Sequence, residues 1–282
     1  MSASPLISIV VPSYNQGSYL EQTLLSILAQ AHPSLELIVM DGGSSDQSVD
    51  IIRRYEGRLA YWQSQADGGQ AAAIKAGFER SHGQILGWLN SDDVYLPGAL
   101  QAVAERFAAE PGALALSGGA YFIDTEGRPT RFGRLGFTLG VAATYDRLRY
   151  YDSDGVYQPA TFYRREAYEA CGGVDPSFQF SMDRDLLTRI AKQGRIARLP
   201  RFLAGARVHP DTKTLNLRAV CLAENERIMR AQGAFEAPRW RQRLRYWRHA
   251  LPNLWRKAGC LFLQKAGSLP MARAHYEPGA PS

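Results

Sequence analysis

The chain opens with a regular alternation of short apolar, β-branched runs and helix-compatible runs, and this alternation leaves few folds open to it. Strands are expected at residues 6–12 (LISIVVP), 35–40 (LELIVM), 59–63, 85–89 and 113–117. Helices are expected between them. One runs from the capping box Ser18-Tyr19-Leu20-Glu21 to residue 31, and the next covers 46–55. A third covers the Ala-rich stretch 69–80, and a fourth starts at Pro97, a favourable first helical position, and ends at 110. Such an order predicts an α/β fold with a mostly parallel sheet and flanking helices. Ligands of these sheets sit beyond the carboxyl ends of the strands. Asp41 ends the second strand and Asp92-Asp93 follows the fourth, so acidic side chains gather where a ligand would lie.

The second half is less periodic. Residues 121–131 read as a hairpin turning at Glu126-Gly127, and 156–163 as a strand. Residues 164–171 read as a short helix closed by Gly172-Gly173. Residues 182–193 form an amphipathic pattern closed by Gly194, and 214–232 a longer helical pattern closed by Gly233.

Several classes are disfavoured. Cys171, Cys221 and Cys260 have neither metal-ligand spacing nor a disulfide framework, and a reducing compartment is expected. No signal peptide is apparent, and no run approaches the roughly 18 apolar residues of a membrane span. The net charge of +6 is unevenly placed: residues 235–282 hold nine Lys/Arg and two Asp/Glu, leaving 24 and 25 for the rest. A neutral body argues against nucleic-acid binding and gives the basic tail its own partner.

The residue types at the strand ends suggest chemistry, each beside a plainer reading. The adjacent carboxylates of Asn90-Ser91-Asp92-Asp93 repel each other, which a hard divalent cation shared with phosphate would relieve; the alternative is a loop acid. Asp41, before Gly42-Gly43, can accept from a base ring N–H or a ribose hydroxyl, or close an Asx turn. Tyr14, in Pro12-Ser13-Tyr14-Asn15, suits base stacking or a polar βα turn. Asp67-Gly68-Gly69-Gln70, with Lys75 beyond it, places a helix N-terminus and a lysine where phosphate is favoured. Asp183 or Asp185 opens a helix, either as its N-terminal acid or as a general base, and spacing does not choose between them. His209, before Pro210 and Lys213, is a metal ligand, a phosphate contact or a surface residue.

The order of these pieces resembles the family 2 glycosyltransferases. The matching segments are Ile9-Val10-Val11-Pro12-Ser13-Tyr14-Asn15, Leu37-Ile38-Val39-Met40-Asp41-Gly42-Gly43-Ser44-Ser45-Asp46 and Asp67-Gly68-Gly69-Gln70. They continue with Gly87-Trp88-Leu89-Asn90-Ser91-Asp92-Asp93, Gln158-Pro159-Ala160-Thr161-Phe162, Gly172-Gly173-Val174-Asp175 and Met182-Asp183-Arg184-Asp185-Leu186. The resemblance spans residues 6 to 215 and implies a GT-A fold with a nucleotide-binding half, residues 1–118, and an acceptor-binding half, 119–233.

It implies roles as well. Pro12, Tyr14 and Asp41 would line the base pocket, with Asn15, Gln70, Lys75, Asn90 and Ser91 completing the nucleotide-sugar site. Asp93 would ligate Mn²⁺ or Mg²⁺, Asp92 would lie near the ribose or metal, and His209 would contact metal or diphosphate. Asp183 would be the base of an inverting displacement. Met182 stands where the family has glutamate. The implied donor is a UDP-, dTDP- or GDP-linked sugar, the acceptor is a saccharide or is lipid-linked, and the setting is bacterial surface-polysaccharide or lipopolysaccharide synthesis.

The tail, residues 234–282, carries Trp240, Leu244, Trp247 and Leu251 on one helical stripe, flanked by Arg239, Arg241, Arg243, Arg245 and Arg248. A basic amphipathic helix of this kind suits an anionic membrane surface, or packs on its own domain. Membrane docking would make the protein peripheral on the inner face of the cytoplasmic membrane.

Overall fold

Why the chain builds one sheet with two helical layers is visible in its central strand. The computed structural model describes residues 4–130, 148, 156–210, 212–213 and 217–233. β1 (Ile7–Ser13) is buried along its whole length. Ile7, Ile9 and Val11 face one side, against helices α1 (Gly17–Leu28), α2 (Ser48–Tyr55) and α4 (Ala99–Ala109). Val10 faces the other side, against α3 (Gln70–Glu79) and α6 (Met182–Gln193). A strand covered on both faces is largely apolar, and β1 reads as a near-continuous hydrophobic run in which the buried Ser8 hydroxyl is paired with Glu36 and the Gly83 N–H.

β2 (Leu35–Asp41), β3 (Tyr61–Ser64) and β4 (Ile85–Trp88) join β1 in parallel, as the alternation predicts. The sheet continues through β5 (Val94–Tyr95), β6 (Ala113–Ile123), β7 (Thr161–Arg164) and β8 (Arg195–Arg207), in the order β3-β2-β1-β4-β7-β6-β8-β5. β7 runs antiparallel to both β4 and β6, and β5 runs antiparallel to β8. β6 crosses residue 118, so both expected halves share this sheet. Two further helices, α5 (Arg165–Ala170) and α7 (Arg218–Ala231), pack on the second half. No described helix is long and apolar enough to cross a membrane. The expected helical tail lies outside the described residues.

Four local expectations need correction. The capping box at Ser18 does not form: α1 begins at Gly17, whose N–H donates to Asp46 Oδ2 at 2.8 Å, and the N–H of Gln16 donates to Ser48 Oγ. Glu21 instead accepts from the Tyr55 hydroxyl at 2.9 Å. A partner 29 residues away in sequence outcompetes the local cap because the tight β1–α1 turn presses that end of the helix against the β2–α2 loop. Pro97 lies ahead of α4, which starts at Ala99 behind Gly98 at φ +72°. The strand expected at 156–163 is a short 3-10 turn, Gln158–Ala160, followed by β7. Residues 113–123 form one long strand, and the turn at Glu126-Gly127 returns only as far as an Ile123–Pro129 bridge.

Candidate active site

The strand ends open on a cavity of about 770 Å³. Of the residues singled out in the sequence, Pro12, Tyr14, Gln70, Asn90, Ser91, Asp92, Asp93, Lys213, Met182 and Asp183 line it. Asn15, Asp41, Lys75 and His209 do not line it directly.

The acidic loop is held from several sides. It leaves β4 through Leu89, and the Thr23 hydroxyl of α1 lies 2.9 Å from Ser91 O and 2.7 Å from Asp93 O. The next two residues pair with β8, Val94 with Gly205 and Tyr95 with Ala204. That pairing carries the end of β8 alongside the acids. Arg207 donates its main-chain N–H to Asp93 Oδ1 at 2.8 Å and its Nε to Asp92 O at 2.7 Å. His209, only 4% exposed, sets Nε2 3.0 Å from Asp92 Oδ2 and packs its ring against Tyr19. Burial, and then the neighbouring Asp92 charge, push the Asp93 carboxyl well above the usual carboxylate range.

These donors suit a hard divalent cation. Asp92 and His209 meet at the cavity edge, and Mg²⁺-type sites need only one or two protein carboxylates plus phosphate oxygens. The expected trio is not assembled: among the described residues no three His, Cys, Asp or Glu side chains form a metal cluster. Asp93 faces Arg207 N–H and the Asn90 amide instead. Asn90 also accepts from Gln70 Nε2 at 2.7 Å, and Gln70 Oε1 accepts from Lys213 Nζ at 2.7 Å. This chain ties the start of α3 to the acidic loop. Gly69, at φ +95°, turns the backbone into that helix, a conformation that favours glycine.

Tyr14, also on the cavity wall, is 63% exposed and free to stack. Asp41 is fully buried, and its carboxylate accepts from the N–H groups of Gly43 and Ser44 and from the hydroxyls of Ser44 and Ser64. These bonds are an Asx-type turn, the second reading its sequence allowed. Asn15 ties the neighbouring loop to it, accepting from Ser45 N–H at 2.9 Å. The carboxylate that does reach the cavity here is Asp67, packed over Gly42, where a Cβ would lie 3.3 Å from both its oxygens.

Asp183 enters from the second half, one residue into α6. Phe180 and Met182 flank it on the cavity wall, and Trp88, stacked on Tyr163 with centroids 5.5 Å apart, adds an aromatic surface. Among the described residues no side chain hydrogen-bonds Asp183. Burial raises its pKa, and the charge of Glu224 adds to this. Asp185 pairs with Arg189, which also donates to Gly173 O, so it is committed to packing α6.

Reasoning from sequence missed Arg207, Glu224 and the direct part played by Asp67. For Arg207 a signal exists: an arginine closes the apolar run 202–206 two residues before His209.

The family model described as glycosyl transferase family 2 matches residues 8–172. An uncharacterized glycosyltransferase of Nostoc is 27% identical over 239 residues, which is 82% of this chain and 72% of the relative. The putative teichuronic acid biosynthesis glycosyltransferase TuaG of Bacillus subtilis is 33% identical over 117 residues, 40% of this chain but only 46% of that protein. Among solved structures, a mannosyltransferase of Pyrobaculum calidifontis, bound to GDP-Man and Mn²⁺, superposes with a TM-score of 0.62 at 21% identity, over 95% of this chain and 78% of that one. At that identity the superposition speaks for the fold.

Proposed function

Because the chain belongs to glycosyltransferase family 2, we propose that it moves one sugar from a nucleotide diphosphate to an acceptor hydroxyl, with inversion and with a divalent cation. The observation that carries this reading is that one cavity is lined both by Asp92, whose Oδ2 lies 3.0 Å from His209 Nε2, and by Asp183.

The donor base stacks on Tyr14 and offers a ring N–H to Asp67. The diphosphate lies toward the start of α3 and Lys213, where main-chain N–H groups and a cation favour negative charge. Asp92 and His209 would hold Mn²⁺ or Mg²⁺, which supplies Lewis-acid neutralisation of the departing diphosphate. The GDP-Man and Mn²⁺ of the Pyrobaculum protein support that assignment.

Asp183 takes the proton of the acceptor hydroxyl. The acceptor oxygen bonds to C1 as the bond from C1 to the diphosphate oxygen breaks and its electron pair leaves with the phosphate. Attack opposite the leaving group inverts C1. A carboxylate whose pKa is raised by burial is a stronger base than an exposed one, which favours this step. Phe180, Met182 and Trp88 give the acceptor an apolar surface, in keeping with a saccharide or lipid-linked substrate of surface-polysaccharide synthesis. The TuaG name supports that setting. Docking of the basic tail on an anionic membrane would bring such an acceptor within reach.

The test joins binding to turnover. UDP, dTDP, GDP, CDP and ADP are screened by thermal shift with and without Mn²⁺, and sugar donors of the winning base are then assayed for transfer. Asp183→Asn should keep the metal-dependent shift and lose about 10²–10⁴-fold in transfer rate, the usual worth of a positioned base. Near wild-type transfer by the variant would remove Asp183 from the mechanism. No shift with any nucleotide would remove the donor site.

A further inference from the structure

We infer that Glu224 is a positioning residue for the base, holding the loop that delivers Asp183 to the cavity. The inference rests on the role given to Asp183 above. Glu224 lies on α7 and is 8% exposed. Its Oε1 accepts from Gln179 N–H at 2.7 Å, and its Oε2 accepts from Phe180 N–H at 3.0 Å and Ser181 N–H at 2.7 Å. Three consecutive main-chain donors thus converge on one carboxylate from another helix. Asp183 follows two residues later.

Among the described residues no other side chain from outside α6 accepts from the main-chain N–H groups at its start. Ser181 occupies its N-cap but makes no side-chain cap bond, and its hydroxyl is buried without a partner. Serine at that position normally satisfies the helix itself. Here the carboxylate of Glu224 takes the donors just upstream, and its charge lies at the positive end of α6. One turn along α7, Arg227 lies over the Phe178 ring, 3.6 Å from its centroid, and donates to Ser177 Oγ at 3.0 Å. Glu224 and Arg227 share a helix face, so α7 grips residues 177–181 at two points.

The loop so gripped is also the cavity wall. Phe180, Met182 and Asp183 all line the cavity, so sliding the loop moves the base and the acceptor surface together. The donor side contributes differently. Tyr14, Asp67, Gln70 and Asp92 belong to the first half, and none of them touches Glu224. Loss of Glu224 should therefore damage the chemical step and spare donor binding. Displacing a catalytic group by about 1 Å can cost on the order of 10²-fold in rate.

The experiment compares Glu224→Ala and Glu224→Gln with the wild-type chain. Hydrogen exchange is followed on peptides covering 177–187 and on a donor-side peptide covering 67–80. The kcat for transfer is measured beside the dissociation constant for the nucleotide diphosphate with Mn²⁺. Glu224→Ala should speed exchange at residues 179–183 by tenfold or more and lower kcat by about 10²-fold. Donor affinity should stay within twofold. Glu224→Gln keeps one carbonyl oxygen for the converging N–H groups, and is expected to recover most of kcat. Unchanged exchange at 179–183 in Glu224→Ala would overturn the inference even if no transfer substrate has been found. So would a parallel loss of kcat and donor affinity, or a Glu224→Gln variant no better than alanine. Should the alanine variant not fold, Glu224→Asp, whose carboxylate is one methylene too short to reach all three N–H groups, decides: a local rise in exchange at 179–183 with wild-type donor affinity and a lowered kcat upholds the inference, and wild-type exchange and kcat overturn it. Absence of transfer by the wild-type chain would count against the functional reading, whereas the exchange result bears on Glu224 alone.

Discussion

Replacing Arg207 with methionine tests whether the acidic loop is framed by that guanidinium. The side chain is 3% exposed and donates to Asp92 O at 2.7 Å, Gln22 Oε1 at 2.9 Å, Asp124 O at 2.8 Å and Thr125 O at 3.0 Å. It also lies 4.9 Å from the centre of the Tyr19 ring. A hydrogen bond from a charged donor is worth about 1.5–3 kcal/mol. The carbonyls of Asp124 and Thr125 lie in a turn open to water and regain partners there, so only the bonds to Asp92 and Gln22 count in full. They amount to about 3–6 kcal/mol. Methionine matches the length of the side chain and removes the cost of burying a charge, which offsets part of that loss. A net loss of roughly 3 kcal/mol lowers Tm by about 6–12 °C for a chain of this size. The main-chain N–H of residue 207 still reaches Asp93, so the effect reports the guanidinium alone. Differential scanning fluorimetry and urea titration measure it, with Arg201→Met, on an exposed stretch of the same strand, as the control expected within about 0.5 kcal/mol. A Tm within 2 °C of wild type would refute the framing role and leave the loop to the Thr23 hydroxyl, the residue-207 main-chain N–H and the β5–β8 pairing.

The remaining predictions concern packing and the base. Gly77→Ala should destabilise the chain by about 1–3 kcal/mol by urea titration, because the added Cβ meets Val10 side-chain carbons at 2.6 and 2.9 Å. The helix-propensity gain of up to about 1 kcal/mol does not cover that overlap. Asp183→Asn should raise Tm at pH 7. A carboxyl whose pKa is raised on folding contributes stability below its unfolded value, about 3.9, and loses it as pH rises through the folded value. The advantage of the variant should therefore vanish near pH 4 and grow toward neutrality, and a lower Tm at pH 7 would contradict the buried placement of this group.

How far the sequence could be read depended on how local each determinant is. Three of the four parallel strands were legible because a strand buried on both faces is largely apolar, and the runs at β1, β2 and β4 are. Asp92 was legible because an acid after such a strand has few reasons to be there. For His209, 117 residues later, the residues alone left three readings open and only the resemblance placed it at the metal or diphosphate, since its approach to Asp92 depends on β5, two residues long and too short to show any period. The cap of α1 was misread for the same reason: Asp46 reaches it across a loop-to-loop contact that no local pattern records. Glu224 stayed hidden because a glutamate on an amphipathic helix normally reads as a solvated face, and only the fold turns it inward.

The carboxylates of these loops and helices separate by what surrounds them, and that separation assigns their work. Asp41 has four protein donors, and Glu224 has three. Asp46 is held below the usual carboxylate range: burial works against it, but bonds from Ser48 and Gly17 prevail. A carboxylate whose lone pairs are filled is a poor base and a good brace. Asp183 is the contrasting case, with apolar walls around it, its pKa raised by burial and a cavity in front. Low solvation makes it costly to keep charged, and the same cost makes proton uptake favourable when an acceptor hydroxyl is presented. The filled carboxylates then have a common purpose: they fix the loops beside the cavity that Asp183 lines.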